Sequence, residues 1–474
     1  MVSKQWYIDY PADYRVREIK TLANWIRAGE SGSVVGLAGA GISNILGFLC
    51  YRPEVVRSYL SGSVPKLALV LVDLNNLPGN NLSTFFRVIL RALYETRPQL
   101  AAIEPELAVT VESLYRRVEE KSDPFMSQSA LREALFLFQT EGVRLVLVLD
   151  RFDEFCRTVE PQILDNLRGL RDSFKATLSY LVGLRHKLTY LPKPTQMGDL
   201  YEILDTHVCW VGPMNPKDAR WVIRQREKAM GASFTEEQCQ RLIDLTGGYP
   251  ALLRTASLWL GGIANNLPGS DIISWEEQLL AEPSLRSRLE DLRLGLTGAE
   301  EAALYALHEA LAVTEARDRQ KNLGQAQEKH KEVLVDLQAK QLCRQTEDGW
   351  RFFSPLFAKF IAGMESVSVG KIWCLAPAVD RFFRGEKELT GLSKKDCQLL
   401  HYFLDHLEEQ PHSIDVLIDG AWPEADPSGV SSEAVQQAIR HLRKQIEPHP
   451  AKPRYLFNQH GLGYSFFPEG APRG

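Results

Sequence analysis

Four short apolar runs divide the first 210 residues, and they constrain the fold more than any other feature of the sequence. The runs are rich in valine and leucine and alternate with segments whose apolar residues recur at three- and four-residue spacing. The predicted strands are residues 33–38, 66–74, 143–150 and 178–184. A strand with consecutive apolar residues has both faces buried, as in a parallel sheet that is covered by helices. We therefore predict an α/β domain over residues 1–212.

The remainder of the chain has a different pattern. Residues 213–296 have helical periodicity only and are predicted to form a helical subdomain. Residues 297–366 end in a helix followed by two short strands that turn at "EDG", which is the pattern of a winged helix, and residues 367–474 repeat it. A chain of 474 residues is too long for one ordinary core, so we predict a multidomain protein.

Composition limits the compartment and the partners. The net charge of -5 gives no global signal for nucleic acid or membrane, so a basic binding surface must be local. The seven cysteines are scattered without a C-x-x-C pair, which disfavours zinc or disulfide frameworks and fits a reducing cytoplasm. No apolar run approaches the roughly 18 residues of a membrane span, and the polar start is unlike a signal peptide. We predict a cytoplasmic protein without membrane association.

The sequence "GLAGAGIS" follows the first predicted strand and has the outline of a phosphate-binding loop, G-x-x-x-x-G-K-[ST]. The predicted nucleotide contacts are Gly36, Gly39, Gly41, Ile42, Ser43 and Asn44. The glycines would let backbone N–H groups approach anionic oxygens, and Ser43 would supply a hydroxyl to magnesium. Ile42 occupies the lysine position, a loss that should weaken nucleotide binding about 10- to 100-fold. ATP hydrolysis should be reduced more than binding, because the lysine charge also stabilises the transition state. The alternative to a phosphate-binding loop is an ordinary strand-to-helix turn.

Acidic residues follow the third predicted strand. The segment "LVLVLDRFDEF" is an apolar run that ends in Asp150 and continues with Asp153 and Glu154. Acids at the carboxyl end of a strand can hold magnesium and an activated water molecule. A surface acidic turn is the alternative, but the order and spacing of the two motifs favour a nucleotide site.

Over about residues 1–366 the chain resembles the STAND class of signal-transduction P-loop NTPases, relatives of AAA+ and NACHT/NB-ARC modules. In this resemblance "GLAGAGIS" is the Walker A motif and "LVLVLDRFDE" the extended Walker B motif. The segment "YLVGLRHKL" carries a sensor-type arginine, and "LTGGYPALL" is similar to the G-x-P region of the helical lid. The upstream segment "DYRVREIKTLANWI" falls where these families place an adenine-side helix.

The resemblance implies roles for individual residues. Asp150 would coordinate magnesium with Ser43, and the pair Asp153 and Glu154 would activate water. Arg185 would sense phosphate, and the alternative for it is a solvated charge at the end of a strand. Pro250 would touch adenine, and the alternative for it is an ordinary turn proline. The implied cofactor is ATP or ADP with Mg²⁺. The missing lysine departs from the family pattern and puts ATPase activity in doubt.

From about residue 371 the chain resembles the OmpR/PhoB-type winged-helix effector domain. The matching segments are "LTGLSKKDCQLLHYF" as first helix, "IDVLIDGAWPE" as second helix and "SSEAVQQAIRHLRKQIE" as recognition helix. The segment "RYLFNQHGLGYSF" matches the wing, with its turn at Gly461, Gly463 and Tyr464. This match is more specific than that of the Walker loop.

The predicted recognition helix is amphipathic. Its buried stripe is predicted to be Val435, Ala438, Ile439, Leu442 and Ile446, with Ser432 as N-cap. The predicted DNA contacts on the opposite face are Gln436, Gln437, Arg440, His441, Arg443 and Lys444. Amides and cations on one face can read base edges and bind phosphates in a major groove. Residues 371–474 are net acidic, with 12 Lys+Arg against 14 Asp+Glu, but residues 431–466 hold 5 against 2.

These observations favour a nucleotide-regulated switch with output to double-stranded DNA through the C-terminal domain. The alternative is a pseudo-NTPase scaffold or adaptor that binds a protein partner through its winged helices. A purely structural C-terminal domain, with a solvated polar face on the helix, is a further alternative. A protein partner or a homo-oligomer is compatible with each reading, and Ile42 disfavours a working ATPase motor.

Overall fold

The structure is a computed structural model. It describes residues 9–60, 66–79, 81–120, 123–191, 197–263, 272–347, 349–363, 370–376, 379–385, 387–422 and 432–472. The chain forms two compact units, Met1–Trp221 and Val222–Gly474. The second unit holds most of the predicted lid and both predicted winged helices, and the domain boundaries within it stay predictions.

The first unit is built on a parallel sheet. Its strands are β1 (Gly32–Val35), β2 (Lys66–Asp73), β3 (Val143–Asp150), β4 (Leu178–Leu184) and β5 (Val208–Trp210). The strand order is β2-β3-β4-β1-β5, and each neighbouring pair is parallel. The continuous valine and leucine runs are buried, as a sheet covered on both faces requires. The predicted α/β class and parallel-sheet core are confirmed.

Helices cover this sheet, and several begin at a proline, whose fixed φ and missing N–H suit the first helical position. The helices are α1 (Val16–Ala28), α2 (Ile42–Tyr51), α3 (Pro53–Tyr59), α4 (Leu82–Glu95), α5 (Arg97–Ile103), α6 (Pro105–Val118), α7 (Pro124–Thr140), α8 (Phe152–Thr158), α9 (Pro161–Ser173) and α10 (Asp199–Asp205). Their apolar faces join the strands in a continuous core that includes Phe85, Leu135 and Tyr180.

The next segment crosses from the first unit into the second and is helical, as predicted. Its helices are α11 (Pro216–Met230), α12 (Glu236–Thr246), α13 (Pro250–Ile263), α14 (Ile272–Ala281) and α15 (Pro283–Leu294). The segment predicted to be the first winged helix follows, with α16 (Gly298–Ala312), α17 (Ala316–Lys329), α18 (Lys331–Ala339), β6 (Cys343–Thr346), β7 (Gly349–Phe352) and α19 (Pro355–Ala362). Strands β6 and β7 form the antiparallel hairpin expected at "EDG".

The C-terminal part of the second unit has the predicted helices and wing, preceded by a sheet that the sequence did not predict. The elements are β8 (Ile372–Ala376), β9 (Val379–Arg384), β10 (Lys387–Glu388), α20 (Lys394–Asp405), α21 (Ile414–Ala421), α22 (Ser432–Ile446), β11 (Leu456–Gln459) and β12 (Gly463–Phe466). Strands β8 to β10 form an antiparallel sheet, and β11 pairs with β12 as the wing. One core of buried side chains from both sheets and all three helices holds this part together.

Candidate functional site

The glycine-rich loop joins β1 to α2 at the carboxyl edge of the parallel sheet, where such folds bind ligands. Strand β1 ends at Val35 and not at residue 38 as predicted, because the next residues belong to the loop. Gly39 and Gly41 have φ of 80° and 89°, a conformation that glycine adopts without strain. Gly36 is required for a different reason, since a Cβ there would lie 2.7 Å from the carbonyl oxygen of Val211. The loop therefore has the backbone freedom and the helix N-terminus that a phosphate site needs.

Ile42 is the first residue of α2, and its side chain faces the sheet. A Cβ added to Gly183 in β4 would lie 3.2 Å from Cγ2 of Ile42 and 3.1 Å from Oδ1 of Asp150. The isoleucine thus brings a methyl group into the region where the loop meets the acidic end of β3. No side-chain cation enters the loop from this position.

Ser43 and Asp150 meet at the same edge. The Ser43 side chain hydrogen-bonds to the carboxylate of Asp150, which also accepts the backbone N–H of Arg151 at 3.0 Å. Burial raises the pKa of Asp150, and the nearby carboxylate of Asp73, its register partner on β2, raises it further. The hydrogen bond from Ser43 acts in the opposite direction.

The donor set suits magnesium only in part. Within the described ranges no group of three or more His, Cys, Asp or Glu side chains is arranged to hold a metal ion. Magnesium in nucleotide sites commonly takes one or two protein oxygens and completes its shell with phosphates and water, which Ser43 and Asp150 could allow. The buried, raised-pKa carboxylate of Asp150 is the group that a cation would stabilise most.

Replacing Asp150 by asparagine should stabilise the nucleotide-free protein. Asparagine keeps the shape of the side chain and can keep the hydrogen bond to Ser43. It removes a buried carboxyl group whose ionisation lowers the stability of the fold as the pH rises through its raised pKa. We expect a gain of about 1 kcal/mol, or about 2–4 °C in Tm for a unit of this size. Thermal unfolding of both forms without nucleotide measures this. A fall in Tm would mean that the carboxylate stabilises the fold.

The predicted catalytic residues Asp153 and Glu154 contact Arg185, the predicted phosphate sensor. Nη1 of Arg185 lies 3.0 Å from Oε1 of Glu154, and the backbone N–H of Arg185 donates to Oδ2 of Asp153 at 3.2 Å. The arginine predicted to sense phosphate is therefore paired with the carboxylate predicted to activate water. Both side chains are well exposed, so either one could exchange partners at low cost. Their catalytic roles stay predictions.

Arg15 is a residue of this region that the sequence did not single out. It precedes α1 with a φ of 50°, and its guanidinium is buried. It donates to the carbonyl oxygens of Ala40 in the loop, at 3.1 Å, and of Gly212 after β5, at 2.8 Å. Its backbone N–H donates to the carboxylate of Asp218 at 3.0 Å. Arg15 thus fastens the loop to the end of β5, a contact between residues far apart in sequence that no local pattern announces.

Pro250 begins α13 in the second unit. The two glycines before it form the turn from α12, with φ of 62° at Gly247 and 72° at Gly248. A Cβ on Gly247 would lie 2.0 Å from the carbonyl oxygen of Phe353, so close packing alone requires this glycine. The adenine contact of Pro250 stays a prediction.

Helix α22 presents the predicted polar face. Gln436, Gln437, Arg440 and Lys444 are exposed, while Val435, Ile439, Leu442 and Ile446 are buried and Ala438 packs against them. Gln436, Arg440 and Lys444 follow one another at four-residue spacing, which aligns them along one side of the helix. Ser432 was predicted to be the N-cap, but the helix begins at Ser432, so this residue is the first residue of the helix. The exposed face combines amide donors and acceptors with two cations.

Two predicted DNA contacts have partners within the domain. Nδ1 of His441 lies 2.8 Å from Oδ2 of Asp396, the buried capping residue of α20. Nε of Arg443 donates to the carbonyl oxygen of Leu456 at 2.9 Å, and burial lowers the pKa of this half-buried guanidinium. His441 and Arg443 thus connect the helix to α20 and to the wing. Their role in DNA binding stays a prediction.

A buried histidine anchors the wing. The backbone of His412 exchanges two hydrogen bonds, both 2.9 Å, with Tyr464 of β12, and its Nδ1 lies 3.4 Å from the Tyr402 hydroxyl. Gly463 allows this approach, because a Cβ there would lie 1.9 Å from the His412 carbonyl oxygen. Nε2 of His412 is buried without a hydrogen-bond partner among the described residues. Burial lowers the pKa of His412, so the folded domain favours the neutral ring.

The C-terminal domain should therefore lose stability in mild acid. As the pH falls below the ordinary imidazole pKa of about 6.5, the unfolded chain takes up a proton before folded His412 does, and stability falls. The variant His412→Gln should make the free energy of unfolding less dependent on pH between 7 and about 5. Denaturant titrations at several pH values measure this. His460→Gln, at an exposed position in the wing, is the matched control and should leave the slope unchanged.

Comparisons with known proteins agree with the C-terminal assignment. Residues 386–466 match the family model described as "Transcriptional regulatory protein, C terminal". The transcriptional regulatory protein YvrH of Bacillus subtilis is 36% identical over 81 residues, which are 17% of this chain and 33% of that protein. The chain thus spans a third of the length of this relative.

Some solved structures are similar to about three quarters of the chain. The Walker-type ATPase PABY2304 of Pyrococcus abyssi is 13% identical, with a TM-score of 0.41 over 73% of this chain and 95% of that chain. The ADP form of the Aeropyrum pernix ORC2 protein is 14% identical, with a TM-score of 0.38 over 75% and 96% of the two chains. The sequence identities and TM-scores are low, so the strand order and the loop geometry are what identify the fold of the first unit.

The strand order and the glycine-rich loop of the first unit are those of a P-loop NTPase fold, and the C-terminal part has a winged-helix fold. Over residues 386–466 the chain resembles the OmpR/PhoB-type C-terminal domain of transcriptional regulatory proteins. Among the helices of the described residues, none is long and apolar enough to cross a membrane.

Proposed function

We propose that this chain is a nucleotide-responsive, STAND-type signalling switch whose output is DNA binding by the C-terminal winged helix. It would act as a transcriptional regulator in the cytoplasm, with weak or absent ATP hydrolysis. The observation that carries the proposal is the exposed polar face of α22 on a domain that matches a transcriptional-regulator family. In this reading Gln436 and Gln437 read base edges, while Arg440 and Lys444 bind phosphates.

The proposed cofactor is ATP or ADP with Mg²⁺, held by the loop of the first unit. Gly39 and Gly41 would present backbone N–H groups to the phosphates, and Ser43 with Asp150 would hold the cation. Bound magnesium would neutralise phosphate charge. Because Ile42 supplies no cation, we expect binding to survive more readily than turnover. A nucleotide can act as a switch only if it binds one conformation better than another.

Two measurements test the proposal. A thermal-shift titration at millimolar ATP and magnesium should raise Tm, because a ligand that binds only the folded state stabilises it. Electrophoretic or anisotropy titration should show salt-dependent binding to duplex DNA. No shift at any nucleotide concentration would refute the switch, and no duplex binding at low salt would refute the DNA output.

A second candidate is a pseudo-NTPase scaffold that binds a protein partner or a second copy of itself. It is favoured by Ile42 at the lysine position, which supplies no cation to a phosphate group. This candidate predicts neither ATP hydrolysis nor duplex binding. The duplex titration therefore separates the two candidates.

A further inference from the structure

The C-terminal domain contacts the preceding winged helix through buried polar groups in the second unit. The side chain of Arg454, which lies between α22 and the wing, is only 1% exposed. Its Nη1 lies 2.8 Å from Oε1 of Glu301 in α16, whose side chain is 2% exposed, and its Nη2 donates to the carbonyl oxygen of Leu296 at 2.6 Å. Two buried opposite charges therefore join segments that are 153 residues apart in sequence.

Main-chain contacts surround this ion pair. The backbone N–H groups of Gly298 and Ala299 open α16, and they donate to the carbonyl oxygens of Gly470 and Glu469, both at 3.0 Å. The C-terminal segment thus satisfies helix-start donors that have no partner inside the helix. The fit is close, because a Cβ on Gly298 would lie 2.9 Å from the Glu469 carbonyl oxygen.

The same ion pair is connected to the recognition helix. The buried carboxylate of Glu447, directly after α22, accepts the backbone N–H groups of Arg454, Tyr455 and Leu456 at 2.7 to 2.9 Å. Charge-assisted bonds of this kind are among the stronger protein hydrogen bonds. A path of buried contacts therefore runs from the end of α22 through Glu447 and Arg454 to Glu301.

The contact leaves the DNA-reading face open. The polar groups that it uses lie beyond the end of α22 and at the base of the wing, whereas Gln436, Arg440 and Lys444 are exposed in the same unit. The contact is therefore not an arrangement that hides the recognition helix.

We propose that Arg454 and Glu301 are a positioning pair that makes the C-terminal domain and the preceding winged helix one body. The functional consequence rests on the proposed DNA output. A signal that reaches the first winged-helix domain is passed to α22 as a movement of the whole body. The direction in which α22 faces DNA is fixed relative to the first winged-helix domain. Regulation then acts by placing this body, and not by uncovering the recognition face.

A protease site inserted between residues 364 and 369 of the full chain tests the pair. After cleavage, the two pieces of the parent protein should remain associated at micromolar concentration on size-exclusion chromatography. Arg454→Met should weaken their association about a hundredfold, because it removes the 2.8 Å ion pair of the buried Glu301 carboxylate and leaves it the longer 3.5 Å contact with Arg293. Arg454→Lys should rescue part of this loss, since an ammonium can keep the pair with Glu301 but not the second bond to Leu296.

Two further variants make the outcome decisive. Arg381→Met removes an exposed arginine of the same domain, whose partner Glu388 is on the same sheet, and should leave the association unchanged. Glu301→Gln tests the pair from the other side if Arg454→Met does not fold, and should also weaken association. Separation of the cleaved parent, or parent-like association in both Arg454→Met and Glu301→Gln, would overturn the proposal.

The test is independent of DNA binding. If the cleaved parent stays together but neither it nor the intact chain binds duplex, the positioning pair stands and the DNA output fails. If duplex binds but the cleaved parent separates, the DNA output stands and the positioning pair fails.

Discussion

The double variant Arg440→Ala and Lys444→Ala is expected to weaken duplex binding about a hundredfold, roughly tenfold for each side chain. Both residues are exposed on one side of α22, four positions apart, and the charge of the surrounding domain is net acidic. In the proposed interface, the helix would therefore carry a large share of the attraction to phosphate. Losing two phosphate contacts should also reduce the slope of log affinity against log salt by about two. Fluorescence anisotropy at several salt concentrations measures both quantities.

The control for this variant removes the same number of positive charges from another surface of the C-terminal domain. Lys371→Ala with Lys387→Ala removes two exposed lysines at the three-stranded sheet that precedes α20. We expect less than a threefold effect, because these residues lie outside the proposed interface. Equal losses for the two double variants would show that binding depends on net charge alone and that α22 does not read DNA.

Ile42→Lys is expected to strengthen ATP binding about 10- to 100-fold. In the proposed site the loop already supplies backbone N–H groups, with Gly39 and Gly41 in the left-handed region. The missing element is a cation at the start of α2, and lysine supplies it as a charge that can reach phosphate oxygens. Isothermal titration calorimetry with ATP and magnesium measures the gain.

Ile42→Met is the matched control, because it gives a long side chain without charge. It should bind ATP as the parent protein does. If the lysine and methionine variants bind equally weakly, the loop is an ordinary strand-to-helix turn and the nucleotide reading is wrong. A gain in binding without a gain in hydrolysis would agree with the pairing of Arg185 and Glu154.

The sequence predicted the parallel sheet well because each long strand is a continuous valine and leucine run. Strand β5 was missed, since Val208–Trp210 is too short to show a period. The first strand was predicted three residues too long, because residues 36–38 continue the apolar pattern into the loop. The sheet of β8 to β10 was missed as well, because its strands are short and β10 has only two residues, Lys387–Glu388.

Some residues of the candidate sites could likewise be predicted from the sequence, whereas others could not. The buried and exposed faces of α22 follow from helical spacing, so Gln436 and Arg440 could be placed from sequence. The partners of His441 and Arg443 come from α20 and β11, and only the folded chain brings them together. Arg15 was missed for the same reason, since its contacts with Ala40 and Gly212 join segments that are distant in sequence. Local patterns thus reveal which surfaces exist, whereas long-range contacts decide which side chains are available.

The most direct test of the central claim is duplex binding by the full chain with and without ATP and magnesium. A duplex enriched from a random library by the chain itself would be titrated at several salt concentrations. We expect salt-dependent binding whose affinity changes when nucleotide is added, because the proposed function couples nucleotide binding at the loop to DNA binding by α22. Absence of duplex binding at low salt in both conditions would contradict the account.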